Sequence, residues 1–217
     1  MDFEQARFNM IEQQIRTWEV LDQKVLDLVG EIHREDFIPE PYRQLALADV
    51  NIPLLHGEVT LTPKMEARIL QVLNIQTEDK ILEIGTGCGY FTALLAKAGG
   101  TVHSVDIYPD FTERSKSLLA EHGLNNVHLY SGDALHGWPA NTPYDVIAVT
   151  GSVPAMIIEY QQQLNLGGRL FVIVGESPIM EAILITRVGQ DEWSQESLFE
   201  TDIPPLVGAA KKSNFIF

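Results

Sequence analysis

Cysteine occurs once in the 217 residues, at Cys88, so no disulfide can form within the chain. That suits a reducing compartment, and the cytoplasm is the expected location. Basic residues are also scarce. Lys and Arg number 15 against 30 Asp and Glu, for a formal net charge of −15. A nucleic-acid binder neutralises phosphates with a basic patch. The only basic pair here is Lys211-Lys212, so no nucleic-acid partner is expected. The same acidity disfavours anionic membrane surfaces. No apolar run approaches the ~20 residues that span a bilayer. The opening stretch MDFEQARFNMIEQQIRTWEV is acidic at its start and lacks an apolar h-region, so it does not read as a signal peptide. The histidines (His33, His56, His103, His122, His128 and His136) share no metal-ligand spacing with Cys88 or with one another. No metal site is expected.

Hydrophobic residues make up 45% of the chain, enough for one sizeable core with an appended lobe. Residues 4–18 read as a helix with Phe8, Ile11, Ile15 and Trp18 at helical spacing, and Phe8 and Trp18 are expected in the core. Residues 22–33 read as a second helix with Asp22 as N-cap. A proline-rich stretch follows. Thr62-Pro63 then reads as an N-cap with proline at the first helical position, opening a helix to Leu73. From residue 80 the rhythm changes. Strand-like runs at 80–84, 101–105, 127–130, 145–149 and 169–174 alternate with helical patterns at 90–98, 109–122 and 154–164. Such alternation indicates a parallel sheet covered by helices on both faces. Residues 181–188 and 195–201 read as an antiparallel hairpin at a sheet edge. A boundary near residue 79 separates a helical N-terminal lobe (1–79) from an α/β domain (80–217).

The stretch KILEIGTGCGYFTALLA places Gly85, Gly87 and Gly89 between a strand and a helix. Glycines there permit positive φ and let a ligand approach the backbone. In an open α/β sheet, ligands bind beyond the carboxyl ends of the strands. Asp106 ends the next strand-like run, where a carboxylate can accept from both ribose hydroxyls. The glycine spacing is G-x-G-x-G, whereas dinucleotide sites favour G-x-G-x-x-G with a pyrophosphate at the helix start. Glu83 precedes the turn, and a carboxylate there would repel a pyrophosphate but suit a cation. Asp133 follows the third strand and can accept from an adenine amine. Three acids at three strand ends suit S-adenosylmethionine, a cationic nucleoside without phosphates, better than a nicotinamide dinucleotide.

These motifs together resemble the protein-L-isoaspartate O-methyltransferase family over nearly the full chain. VLDLVGEIHREDFIPEPYRQLALADVNIPLLHG is similar to that family's N-terminal region, and ILEIGTGCGYFTALLA to its methyl-donor motif, with Cys88 where a serine is usual. GDALHGWP, YDVIAVTGSVPAM and LNLGGRLFVIVG resemble its later motifs in order. The resemblance implies a class I methyltransferase fold, a Rossmann-like seven-stranded sheet, mostly parallel, with an antiparallel last hairpin. It implies S-adenosylmethionine as donor, held by Glu83, Gly85, Thr86, Gly87, Gly89, Asp106, Ile107, Gly132, Asp133, Ala134 and Thr150. It implies an isoaspartyl-type acceptor, a protein or peptide with a free carboxylate or else a small carboxylate, placed by His56, Gly151 and Ser152. Trp138 is expected to pack against the adenine-side loop, and Cys88 to be a packing residue. A monomer is expected, since no long exposed apolar stripe is seen.

In the family, the serine of an I-S-x-P segment donates to the acceptor carboxylate. Aligned without a gap between His56-Gly57 and Pro63, that serine falls on Leu61 in VTLTP. Thr60 and Thr62 flank it, so Thr60, Leu61 and Thr62 are the candidate catalytic positions, a threonine replacing the serine only if the register shifts. The family's R-F-V-P-L segment reads DIPPL here, with Asp202 at the arginine position. The donor half of the motif set is kept and the acceptor half is rewritten. Three functions remain open: an isoaspartyl methyltransferase, a methyltransferase for another acceptor, and a non-catalytic donor-binding module.

Overall fold

The computed structural model describes residues 2–209, so Lys211-Lys212 lies outside the described residues. Seven strands form one sheet in the order β3-β2-β1-β4-β5-β6-β7. They are β1 (Lys80–Ile84), β2 (Thr101–Asp106), β3 (Val127–Ser131), β4 (Tyr144–Val153), β5 (Leu164–Glu176), β6 (Ile179–Gly189) and β7 (Glu192–Thr201). The first five run parallel, and β6 is antiparallel to both of its neighbours, β5 and β7. The apolar runs predicted from sequence are all strands, each as long as predicted or longer. The chain winds outward from β1 through β2 to β3, then returns to place β4 on the other side of β1. That reversal opens a crevice at the carboxyl ends of β1 and β4, the switch point where ligands bind in such sheets.

Helices α1 (Phe3–Met10), α2 (Gln23–Glu31), α3 (Pro63–Leu73), α4 (Tyr90–Ala98), α5 (Pro109–Glu121) and α6 (Ile158–Gln162) accompany the sheet. Asp2 caps α1 through Gln5 N at 3.1 Å, and Asp22 caps α2 through Lys24 N at 2.8 Å. Thr62 precedes α3 in extended conformation, but its hydroxyl makes no capping bond. The predicted helix 4–18 departs from regular geometry. After Met10 it widens into a π-helical turn (Ile11–Ile15) and tightens into a 3₁₀ turn (Arg16–Trp18). The wide turn brings Met10 and Ile15, five apart, onto the buried side. Phe8, expected in the core, is 60% exposed instead. Trp18 is half-buried, its ring edge-on to Phe199 at 5.6 Å. The helix predicted over 154–164 shrinks to α6, because β4 continues to Val153 and β5 already starts at Leu164.

One buried cluster joins Met10, Val25, Leu70, Ile81, Leu94 and Phe171, uniting N-terminal helices, α4 and one face of the sheet. A second, with Leu82, Ile147, Tyr160 and Leu170, fills the opposite face. Period-two alternation within β1 sends Ile81 to the first cluster and Leu82 to the second. No described helix is long and apolar enough to cross a membrane.

Candidate active site

The crevice at the switch point is a cavity with four walls. The first is the glycine turn after β1. Gly85 has φ +100°, and a Cβ there would lie 2.1 Å from Thr150 Oγ1. That hydroxyl points at the carbonyls of Ile84 (2.9 Å) and Gly85 (3.0 Å), so β4 braces the turn. Only glycine allows the braced turn to sit so close. Gly85, Gly87 and Thr150 line the cavity.

The second wall is the end of β2. Asp106 is 6% exposed, and its two oxygens accept from Gly87 N (2.8 Å) and Tyr108 N (3.0 Å). Burial pushes its carboxyl up, and the backbone donors partly offset this. Each oxygen keeps a lone pair for a ligand hydroxyl. Ile107, Tyr108 and Phe111 add an apolar surface.

The third wall follows β3. Gly132 N donates to the Asp106 carbonyl at 2.9 Å, and Asp133 Oδ1 accepts from Leu135 N at 2.9 Å. A Cβ on Gly132 would lie 3.1 Å from the Trp138 indole, so Trp138 does pack behind this loop. Gly132, Asp133 and Ala134 line the cavity.

The fourth wall combines residues 51–61 with residues 203–207. Bonds from Leu54 N to Glu58 O (2.8 Å) and from Thr60 N to Ile52 O (2.9 Å) make 52–60 a small hairpin. Arg34 holds its far end. Fully buried, it donates to Glu66 Oε2 (3.0 Å), Ala46 O (2.5 Å), Thr60 Oγ1 (3.1 Å) and Leu61 O (2.7 Å). Thr60 Oγ1 also accepts from Ile52 N at 3.1 Å. Opposite, residues 203–207 are zipped to β4 by Ser152 N to Pro204 O (3.0 Å) and Leu206 N to Ser152 O (2.9 Å).

The structure brings together most of the positions singled out from sequence. Gly85, Gly87, Asp106, Ile107, Gly132, Asp133, Ala134, Thr150, Gly151, Thr60 and Leu61 line one cavity. Others stand elsewhere. Glu83 does not face the ligand space. It is fully buried, and its Oε2 accepts from Thr92 (2.5 Å) and Ser104 (2.6 Å). Desolvation, with no cation in contact, pushes its carboxyl up to about 8, so it is an internal neutral acid rather than a cation site. Thr86 is buried behind the turn against Ser104 at 2.6 Å. Gly89 backs onto Ser115, with only 2.6 Å between a would-be Cβ and that hydroxyl. Ser152 is 1% exposed and donates to Ile203 O at 3.1 Å, so its role is to fix the fourth wall. Thr62 and His56 do not line the cavity. His56 stacks on Tyr108 at 4.0 Å and 7°, with Nε2 2.8 Å from Asp110 Oδ2. Asp202 turns away to accept from Ser177 Oγ at 2.9 Å and places no charge in the cavity. Cys88 is buried and its thiol is pushed up by that burial, in keeping with packing. Sequence reasoning missed Asn51, Leu54, Glu58, Tyr108 and Phe111. Only the spacing of Tyr108 and Phe111 after Asp106 could have signalled them.

Among the described residues that line the cavity, three carry carboxylates (Glu58, Asp106 and Asp133) and none a basic side chain. A pyrophosphate would be repelled here, whereas a nucleoside with a cationic tail fits. Among the described residues no cluster of three or more His, Cys, Asp or Glu is placed to hold a metal.

The family model for protein-L-isoaspartate(D-aspartate) O-methyltransferase matches residues 5–211. The chain belongs to this family. Its relatives include protein-L-isoaspartate O-methyltransferase 2 of Pelobacter propionicus, 35% identical over 95% of this chain and 92% of the relative. The protein-L-isoaspartate O-methyltransferase of Protochlamydia amoebophila is 36% identical over 92% of this chain and 95% of the relative. A solved protein-L-isoaspartate O-methyltransferase superposes with a TM-score of 0.79 at 25% identity, over 92% of this chain and 65% of that one. A Plasmodium falciparum protein solved with S-adenosyl-L-homocysteine shares the fold, at a TM-score of 0.75 and 17% identity over 95% of this chain and 98% of that one. The sheet is therefore the class I methyltransferase sheet, and the protein is a methyltransferase of a family that uses S-adenosylmethionine. The cavity offers a close backbone turn, carboxylates and apolar cover, and no basic side chain among the described residues.

Proposed function

We propose that this protein transfers a methyl group from S-adenosylmethionine to an isoaspartyl-type carboxylate, through an acceptor site altered from its family's. The observation that carries the reading is the wall at residues 60–61. Leu61 lines the cavity where the family motif calls for a serine, and the neighbouring Thr60 hydroxyl, which also lines it, accepts from Arg34 and Ile52 N and so keeps only its own proton to donate. In this reading Asp106 receives ribose hydroxyls, Asp133 an adenine amine, and Ile107 covers the base. The bound donor supplies an electrophilic methyl on a sulfonium. The acceptor carboxylate is already ionised at neutral pH, so the chain need supply no general base. Its work is alignment of acceptor oxygen and methyl carbon, and exclusion of water. The substrate is a protein or peptide met by a cytoplasmic monomer. With Leu61 at the serine position and no basic side chain among the described lining residues, the carboxylate meets fewer donors than the family motif supplies.

The same wall favours a second reading: a donor-binding paralogue, weak or inactive on isoaspartyl groups, with another acceptor or a regulatory role. Purified protein is incubated with methyl-labelled donor and an isoaspartyl peptide, and base-labile methyl ester is counted while calorimetry follows donor binding. Donor binding with slow ester formation is expected. Binding without ester on any carboxylate would favour the second reading, and no donor binding would sink both.

A further inference from the structure

Glu58 has no role in the site as its family's motifs describe it, yet its side chain lines the cavity. Among the described residues its carboxylate makes no hydrogen bond and no ion pair within 4 Å. Its placement is well determined. Glu58 N donates to Leu55 O at 3.1 Å, and Glu58 O accepts from Leu54 N at 2.8 Å. Leu54 Cδ1 lies 3.5 Å from where a Cβ on Gly87 would stand. On the other flank, His56 stacks on Tyr108 and meets Asp110 just beyond Asp106. The loop carrying Glu58 is thus pinned over the donor half of the cavity. Burial pushes its carboxyl up, Asp106 adds to the shift, and His56 opposes it. Two carboxylates share a space with no basic lining residue.

We infer that Glu58 is a charge-selective donor residue, which favours the sulfonium of the donor over the neutral thioether of its product. This rests on the methyltransferase reading. When a carboxylate oxygen takes the methyl, an O–C bond forms, the C–S bond breaks and its electron pair stays on sulfur. The sulfonium becomes a neutral thioether. A carboxylate facing that space attracts the molecule before transfer and loses the attraction afterwards. In a cavity shielded from water such an attraction is stronger than in bulk. Product then leaves more readily than donor. The attraction has a cost, because it also stabilises the charge that the transition state must lose.

Isothermal titration of the full chain with S-adenosylmethionine and with S-adenosylhomocysteine tests this, for the native protein, Glu58→Gln and Glu58→Asp. Glu58→Gln should weaken donor binding about fivefold or more and change product binding less than about twofold. Glu58→Asp should fall between. The product serves as the fold control, since a misfolded variant would lose both ligands. Sinefungin, which carries an amine in place of the sulfonium, should follow the donor. An equal loss for both ligands, or no loss for either, overturns the inference. Failure of the native protein to bind either ligand would instead overturn the donor assignment itself.

Discussion

Arg34 donates to the carbonyl oxygen of Leu61 at 2.7 Å, across 27 residues of chain. The same guanidinium carries a hydrogen bond to the Thr60 hydroxyl and an ion pair to Glu66. One buried cation therefore fixes the backbone of the acceptor wall and decides which way its hydroxyl faces.

Removing that cation should destabilise the protein. Glu66, already pushed up to about 7 by burial despite Arg34, would lose its ion pair with Arg34. Breaking a buried pair from one side costs about 3–5 kcal/mol. Arg34→Met should lower the urea-unfolding free energy by that amount at pH 8. A loss under about 1 kcal/mol would show that the pair does not hold the wall.

Leu61→Ser should restore a donor to the cavity wall without disturbing Arg34, which binds only the carbonyl at that position. A hydrogen bond to a charged group contributes about 1.5–3 kcal/mol. The expected gain in kcat/KM on an isoaspartyl peptide is about tenfold or more, seen as base-labile ester. An unchanged rate would mean that the acceptor carboxylate does not sit against residue 61.

Gly85→Ala should impair donor binding more than Gly57→Ala. Both glycines have positive φ, so each substitution carries roughly 1–2 kcal/mol of backbone strain. Only at Gly85 does the new Cβ meet an atom, Thr150 Oγ1 at 2.1 Å; nothing lies within 4 Å at Gly57. Calorimetry should show donor affinity at least about tenfold weaker for Gly85→Ala, with far-ultraviolet circular dichroism unchanged. Equal affinities for the two variants would contradict the brace.

Glu83→Gln should change how stability depends on pH. The folded carboxyl keeps its proton up to about 8, against an ordinary value of 4.5. Between those values the unfolded chain binds fewer protons than the folded one, so this group's contribution falls as pH rises. Below about 4.5 both states are protonated and the penalty vanishes. The variant should gain on the native protein from pH 5 to pH 8 in urea midpoints. Parallel curves would show that Glu83 is ionised in the fold.

The sheet was legible because its signals are local. Ile81, Leu82 and Ile84 form a run that only a strand buried on both faces explains, and Gly85 marks the turn by chemistry no other residue offers. Side-chain direction was harder. Glu83 stands beside the turn in sequence, but its neighbours across the fold, Ser104 and Thr92, are what draw it inside. Ser152 looked like a ligand contact until residues 203–207 came back to bond it, a long-range pairing that no spacing announces. Phe8 was misplaced because a π-helical turn changes the phase of a face. The family motif did locate Leu61 on the cavity wall, since the anchors on either side left no slack.

The strand-like zipper at Ser152 separates having the fold from having the pocket. Residues 203–207 lie past β7 and belong to none of the seven strands, yet they close the cavity. A chain cut after Thr201 would retain every pairing in the sheet. Spectroscopic probes of secondary structure would score it as native, while one side of its reaction chamber stood open to bulk water. Proteolytic trimming at this point would open the chamber and also strip Ile203 and Leu206 from the two buried clusters, while the strand pairings stayed.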